Sequence, residues 1–136
     1  MQKLRVLLVD DQEELLRVFR RVLVARGMEV VGEASNGAEA VEVSRHVTAD
    51  VILTDYKMPI MDGIELARVI TARGAPPIII VISAFVDRSL IEEGQAAGVT
   101  AWLSKGLRPS ELCEQIYQIA GREAGDDETA EAVGAA

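Results

Sequence analysis

Three aspartates, two serines and a lysine stand where apolar runs break off. LRVLLVD (residues 4 to 10) runs into Asp10 and Asp11, DVILTD (50 to 55) ends on Asp55, PIIIVIS (77 to 83) ends on Ser83, and TAWLSK (100 to 105) ends on Ser104 and Lys105. An ionised carboxylate at the end of a buried segment is costly unless something pairs with it. Three carboxylates brought together would repel and raise one another's pKa, so the set asks for a cation between them. An all-oxygen site that keeps several waters suits magnesium. Magnesium alone leaves Lys105 and Ser83 without a task. A point positive charge and a hydroxyl aimed at a site already holding a dication fit the arrival of a polyanion, and phosphoryl is the obvious one. Asp55 then becomes a nucleophile whose carboxylate attacks phosphorus to give an acyl phosphate, with the metal and Lys105 neutralising charge.

Such a site needs a scaffold that brings distant strand ends together. Five apolar segments recur with helix-like segments between them, the four above and MEVVGEA (28 to 34), at the spacing of βα units. The first, third and fourth are near-continuous Val, Ile and Leu without polar alternation, as parallel strands covered on both faces require. The expected fold is α/β: a doubly wound, five-stranded parallel sheet in a three-layer αβα sandwich. In such a sheet, ligands sit beyond the carboxyl ends of the strands, where Asp10, Asp11, Asp55, Ser83 and Lys105 all fall.

The intervening segments carry helix signals. Asp11 with Glu14, Asn36 with Glu39, and Asp62 with Glu65 each have the spacing of a capping box, and Gly27, Gly74 and Gly98 stand where left-handed C-terminal caps belong. A last helix is expected from about Pro109 to Gly121, packing Leu112, Ile116 and Ile119 on the sheet with Cys113, Tyr117 and Ala120 beside them. The segment EAGDDETAEAVGAA (123 to 136) is acidic, with Val133 its one large apolar residue. It is expected to be a disordered tail after a domain spanning 1 to 122.

Bulk properties narrow the function. The 136 residues fit one domain, and a net charge of -8 argues against direct nucleic-acid binding, which relies on clustered Lys and Arg. Neither a membrane span nor a cleavable leader is expected in MQKLRVLLVDD, and the single Cys113 reads as a buried small hydrophobe. A cytoplasmic setting is expected. His46, the single histidine, is expected to complement the end of the second helix without a catalytic role.

As a set, LLVDD, LTDYKMPIMDG, VISAF and WLSKG resemble the receiver domain of two-component response regulators, over roughly residues 3 to 121. The resemblance implies the flavodoxin-like strand order 2-1-3-4-5. It implies that Asp55 accepts phosphoryl from a histidine kinase or phosphotransfer protein. It also implies that Asp11, Asp55 and the backbone carbonyl of Lys57 bind magnesium directly, with Asp10 helping through water. Lys105 would pair with the phosphoryl group, Ser83 would hydrogen-bond it, and Trp102 would fill the switch-aromatic position. The switched surface would lie on the fourth helix (about Asp87 to Ala97), the fifth strand and the last helix, and would serve a downstream effector or output domain or a phosphorylation-dependent homodimer. Gly106 stands after Lys105 where many receivers have proline. The KG step and PSEL-like helix start resemble receivers that precede helix-turn-helix output domains.

Rival readings are weaker. Taken singly, Asp10 and Asp11 would be a solvated helix N-terminus, Ser83 a turn residue and Lys105 a surface amine; their joint position separates them from those roles. An aspartyl-phosphate hydrolase would carry a second acid two residues after its nucleophile, where Lys57 stands. No G-x-G-x-x-G or G-x-x-x-x-G-K-[ST] follows the first strand to cradle a nucleotide.

Overall fold

The computed structural model describes residues 2–122. Five strands alternate with five helices: β1 Arg5–Val9, α1 Glu13–Ala25, β2 Glu29–Ala34, α2 Gly37–Ser44, β3 Val51–Asp55, α3 Gly63–Ala72, β4 Ile78–Ser83, α4 Arg88–Ala97, β5 Ala101–Ser104 and α5 Pro109–Ile119. The strands are parallel, in the order β2-β1-β3-β4-β5. This is the doubly wound sheet expected from the apolar runs, and each run maps onto its strand within one or two residues.

Because strand side chains alternate, each central strand feeds both cores. Val6 and Leu8 of β1 join Leu53, Ile80 and Ile82 under α1 and α5, whose Leu16, Leu23, Leu112, Cys113, Ile116 and Tyr117 cover that face. Leu7 and Val9 point the other way, with Ile52, Ile79 and Val81, against Ala40 of α2, Ile64, Leu66 and Ala67 of α3 and Ala97 of α4. A Leu or Ile buried in either layer stabilises by about 1.5–3 kcal/mol relative to exposure. Cys113 is buried and unpaired within the first layer, as expected.

Most of the expected caps form. Asn36 accepts the Glu39 N–H at 2.9 Å. Asp62 and Glu65 make a reciprocal capping box, with bonds of 2.8 and 3.0 Å. Gly27, Gly74 and Gly98 all take positive φ at helix ends. The expected Asp11–Glu14 cap is corrected: α1 is N-capped by Gln12 with no side-chain bond. The reason is local. Asp10 Oδ1 already accepts the Gln12 N–H at 2.9 Å and shapes the turn, so the Asp11 side chain is not drawn into the helix. His46 lies just past the C-terminal end of α2, 3.4 Å from Glu42. The 123 to 136 segment lies outside the described residues, so the expectation for it is not addressed. No described helix is long and apolar enough to cross a membrane.

Candidate phosphoryl-acceptor site

The parallel register decides which side chains meet. Asp55 pairs with Ile82 and Ser83 with Ser104, so β3, β4 and β5 end at one level. Asp10 and Asp11 follow β1 on the same edge. Three oxygens, one from each of Asp10, Asp11 and Asp55, lie within 4.8 Å of one another. Lys105 extends its ammonium into this group, 3.2 Å from Asp55 Oδ1 and 3.7 Å from Asp10 Oδ2. The Tyr56 N–H donates to Asp55 Oδ1 at 2.8 Å. Both contacts on Asp55 therefore fall on Oδ1, leaving Oδ2 the freer oxygen.

The group lies at the floor of a cleft of about 430 Å³, lined by Asp11, Gln12, Asp55, Lys57, Ser83 and Lys105 together with Tyr56, Ala84, Phe85 and Leu90. Asp10 and Asp55 are buried, at 2% and 7% exposure, whereas Asp11 is exposed at the rim. Burial pushes both buried carboxyls above the ordinary value of 3.8. For Asp10, the Gln12 N–H pulls the other way and the Asp55 charge adds to the rise; for Asp55, Lys105 and the Tyr56 N–H oppose burial without cancelling it. One ammonium for three carboxylates leaves negative charge in excess, and burial makes that excess costly. The donor set is all oxygen and clustered, so the residues fit a hard divalent cation such as magnesium.

Two glycines keep neighbouring elements close to the site. A Cβ on Gly63, the first residue of α3, would stand 2.5 Å from the Asp55 carbonyl oxygen, so only glycine lets α3 begin against the end of β3. A Cβ on Gly94 of α4 would meet the Trp102 indole at 2.7 to 3.0 Å. Trp102 occupies that gap, its ring 5.8 Å from Tyr56 in an edge contact and its buried Nε1–H without an acceptor. The Ser83 hydroxyl donates to the Phe85 carbonyl at 2.7 Å and accepts the Phe85 N–H at 3.3 Å. Phe85 itself is exposed at the cleft mouth.

Of the residues singled out in the sequence, Asp10, Asp11, Asp55 and Lys105 are brought within contact range, Ser83 and Lys57 line the same cleft, and Trp102 stands behind it against Tyr56. Sequence reasoning missed Gly63, Gly94 and Tyr56. Gly94 did leave a signal, because a glycine inside LIEEGQAAG costs a helix about 1 kcal/mol and asks for a packing reason. Tyr56 left none, since a backbone donor can come from any residue except proline.

Known proteins resemble the chain in sequence and in fold. The family model described as response regulator receiver domain matches residues 6–117. The transcriptional regulatory protein PdtaR of Mycobacterium tuberculosis is 38% identical over 118 residues, which cover 87% of this chain and 57% of PdtaR. The chain thus spans little more than half the length of that relative. The chemotaxis protein CheY of Thermotoga maritima is 33% identical over 115 residues, covering 85% of this chain and 96% of CheY. The solved signal receiver domain of a response regulator described as NarL from Mycobacterium tuberculosis superposes with a TM-score of 0.84 at 29% identity, covering 90% of this chain and 100% of that one.

Proposed function

The chain belongs to the response regulator receiver domains of two-component systems, and from that membership we propose that Asp55 is its phosphoacceptor and that residues 1 to 122 form the phosphorylated switch. The observation that carries this reading is the Lys105 ammonium 3.2 Å from a buried aspartate that two further aspartates crowd, at the floor of an open cleft. An ammonium so placed neutralises a carboxylate now and a phosphoryl oxygen later.

The chemistry follows from those positions. An Asp55 carboxylate oxygen attacks the donor's phosphorus, a mixed-anhydride C–O–P bond forms, and the donor's bond to phosphorus breaks with the electron pair leaving on the donor. With histidine kinases and phosphotransfer proteins as donors, the leaving group is a neutral imidazole once it takes up a proton. Asp11, Asp55 and the Lys57 carbonyl would hold a magnesium ion directly, and Asp10 would hold it through water. When bound, magnesium supplies positive charge to the phosphoryl oxygens during in-line transfer. Lys105 follows the transferred group, while Tyr56 N–H keeps the Asp55 side chain oriented. The chain itself supplies this catalysis and a slow return by hydrolysis; Lys57, where a hydrolase would have a second acid, offers no general acid for rapid turnover.

The signal then leaves the site through Ser83. Its hydroxyl has one hydrogen, now given to Phe85, so a bond to phosphoryl requires that loop to rearrange. Phosphoryl adds about 1.5 to 2 negative charges, and a shift from 1:99 to 99:1 between two states needs about 5.5 kcal/mol of differential interaction. The surface of α4, β5 and α5 is the proposed output, read by a downstream effector or output domain.

The reading is tested by incubating the protein with magnesium and acetyl phosphate and comparing intact masses. One phosphoryl adduct is expected on the wild type, absent in Asp55→Ala and absent without a divalent cation. An unlabelled wild type beside a labelled control receiver would reject the reading in favour of a constitutive binding module.

A further inference from the structure

The amino end of the sheet, opposite the acceptor cleft, carries a second concavity. A pocket of about 220 Å³ opens between the loop that follows α2 and the loop that follows α3. Buried Ile52 of β3 and Ile70 of α3 line its inner side, and Val47, Ala49, Pro76 and Pro77 add apolar walls. Its rim is set by backbone. Gly74 and Ala75 take φ of 83° and 45°, and the two prolines that follow lock the chain beyond them. That conformation is strained for alanine, and such strain persists only where the surroundings over-determine it. The pocket is therefore preformed.

One charged group is fixed on this rim. Arg73, the C-cap of α3, donates from Nη1 to the Ser44 hydroxyl at 2.8 Å and from Nη2 to the Val41 carbonyl at 3.3 Å. The Ser44 hydroxyl donates to the same carbonyl at 2.7 Å, so the last turn of α2 holds the guanidinium in place. These bonds use two of its five N–H groups. The two loops, residues 44 to 49 and 71 to 77, hold Arg45, His46 and Arg73 and no acid, in a chain whose net charge is -8. Glu42 occupies Arg45 and His46, at 3.9 and 3.4 Å. Arg73 has no carboxylate partner among the described residues.

We propose that this pocket binds a small carboxylate with an apolar body, its carboxylate on Arg73 and its body against Val47, Ile52 and Ile70. An apolar enclosure with one placed charge is the pattern of a small-molecule site. The planar guanidinium fork matches a carboxylate in two parallel bonds. The volume falls below the roughly 300 Å³ at which drug-sized sites begin, which limits the ligand to about ten non-hydrogen atoms. The pocket and the phosphoryl-acceptor cleft have no lining residue in common, so this site stands whether or not Asp55 is phosphorylated.

NMR titration of the isotope-labelled full chain with 4-methylpentanoate and with benzoate tests this. Amide shifts at Val47, Ala49, Ile70 and Gly74 are expected to saturate with a low-millimolar midpoint. The uncharged 4-methylpentanamide should bind about tenfold more weakly, as should both acids to Arg73→Gln. Core amide shifts report that the variant stays folded, and the acid-against-amide comparison in the wild type needs no variant. Asp55→Ala should bind both acids as the wild type does. Shifts that are absent, that centre on another face, or that are equal for acid and amide overturn the proposal, as does unchanged binding in Arg73→Gln. Inorganic phosphate matching the acids at these amides would reduce the site to a surface cation and overturn it. Lost binding in Asp55→Ala would move the ligand to the acceptor cleft and overturn it equally.

Discussion

At the scale of single residues, the site is built against stability. Asp10 is buried beside Asp55 with one ammonium between them, and burial holds its carboxyl above the ordinary 3.8. Unfolding therefore releases a proton between that ordinary value and the folded one, and stability falls as pH rises through the window. Asp10→Asn keeps an oxygen for the Gln12 N–H and removes the charge. It should raise the thermal midpoint at pH 7 without magnesium by roughly 3–5 °C, about 1 kcal/mol, and show a smaller rise than the wild type when magnesium is added. The gap between variant and wild type should narrow as pH falls through 3.8 and close below it, where Asp10 is protonated in both states; a gap that widened there would contradict the account. Ser83 supports a second prediction. Ser83→Ala removes the hydroxyl that holds Phe85 and should leave the phosphoryl adduct intact while weakening its effect on partner affinity. A partner affinity that still rose fully would remove Ser83 from the switch.

At the scale of elements, the two edges of the sheet have separate tasks. At the far edge, Asp50 accepts from Arg5 N at 2.8 Å and from the Arg5 guanidinium at 3.3 and 3.4 Å, tying β1 to the turn before β3. Burial opposes ionisation of Asp50, but these bonds prevail and hold its carboxyl below the ordinary value. Its contribution is thus present above pH 3.8 and is lost as pH falls through the lower folded value. With both partners about a third exposed, Asp50→Asn should cost only ~1 kcal/mol in urea unfolding and leave phosphorylation unchanged. Gly63→Ala should do the reverse in proportion. Its Cβ collides with backbone at Asp55, so about 1–3 kcal/mol of overpacking strain falls on Asp55, the proposed acceptor, and phosphorylation from acetyl phosphate should slow. Equal phosphorylation rates in the two variants would show that α3 does not position Asp55.

At the scale of the whole molecule, the fold was legible because its signals are local and repeated. Unbroken Val, Ile and Leu runs fix buried parallel strands, and their polar ends fix which edge carries chemistry. Asp10, Asp11, Asp55 and Lys105 could be grouped from that alone. The strand order and the roles of Lys57 and Trp102 came from resemblance, since periodicity does not tell which strand lies beside which. The Asp11 cap was misassigned because S/T/D-x-x-E spacing is identical for a cap and for a residue left free at a site. Gly63 and Gly94 matter only through what their missing Cβ would strike, which spacing does not reveal. The central claim is that Asp55, and no other of the clustered acids, takes the phosphoryl group. It is tested most directly by treating protein phosphorylated from acetyl phosphate with borohydride, which reduces an acyl phosphate to an alcohol, and locating the resulting homoserine by peptide mass spectrometry. The account predicts homoserine at position 55 alone, lost in Asp55→Ala; homoserine at position 10 or 11, or its persistence in that variant, would contradict it.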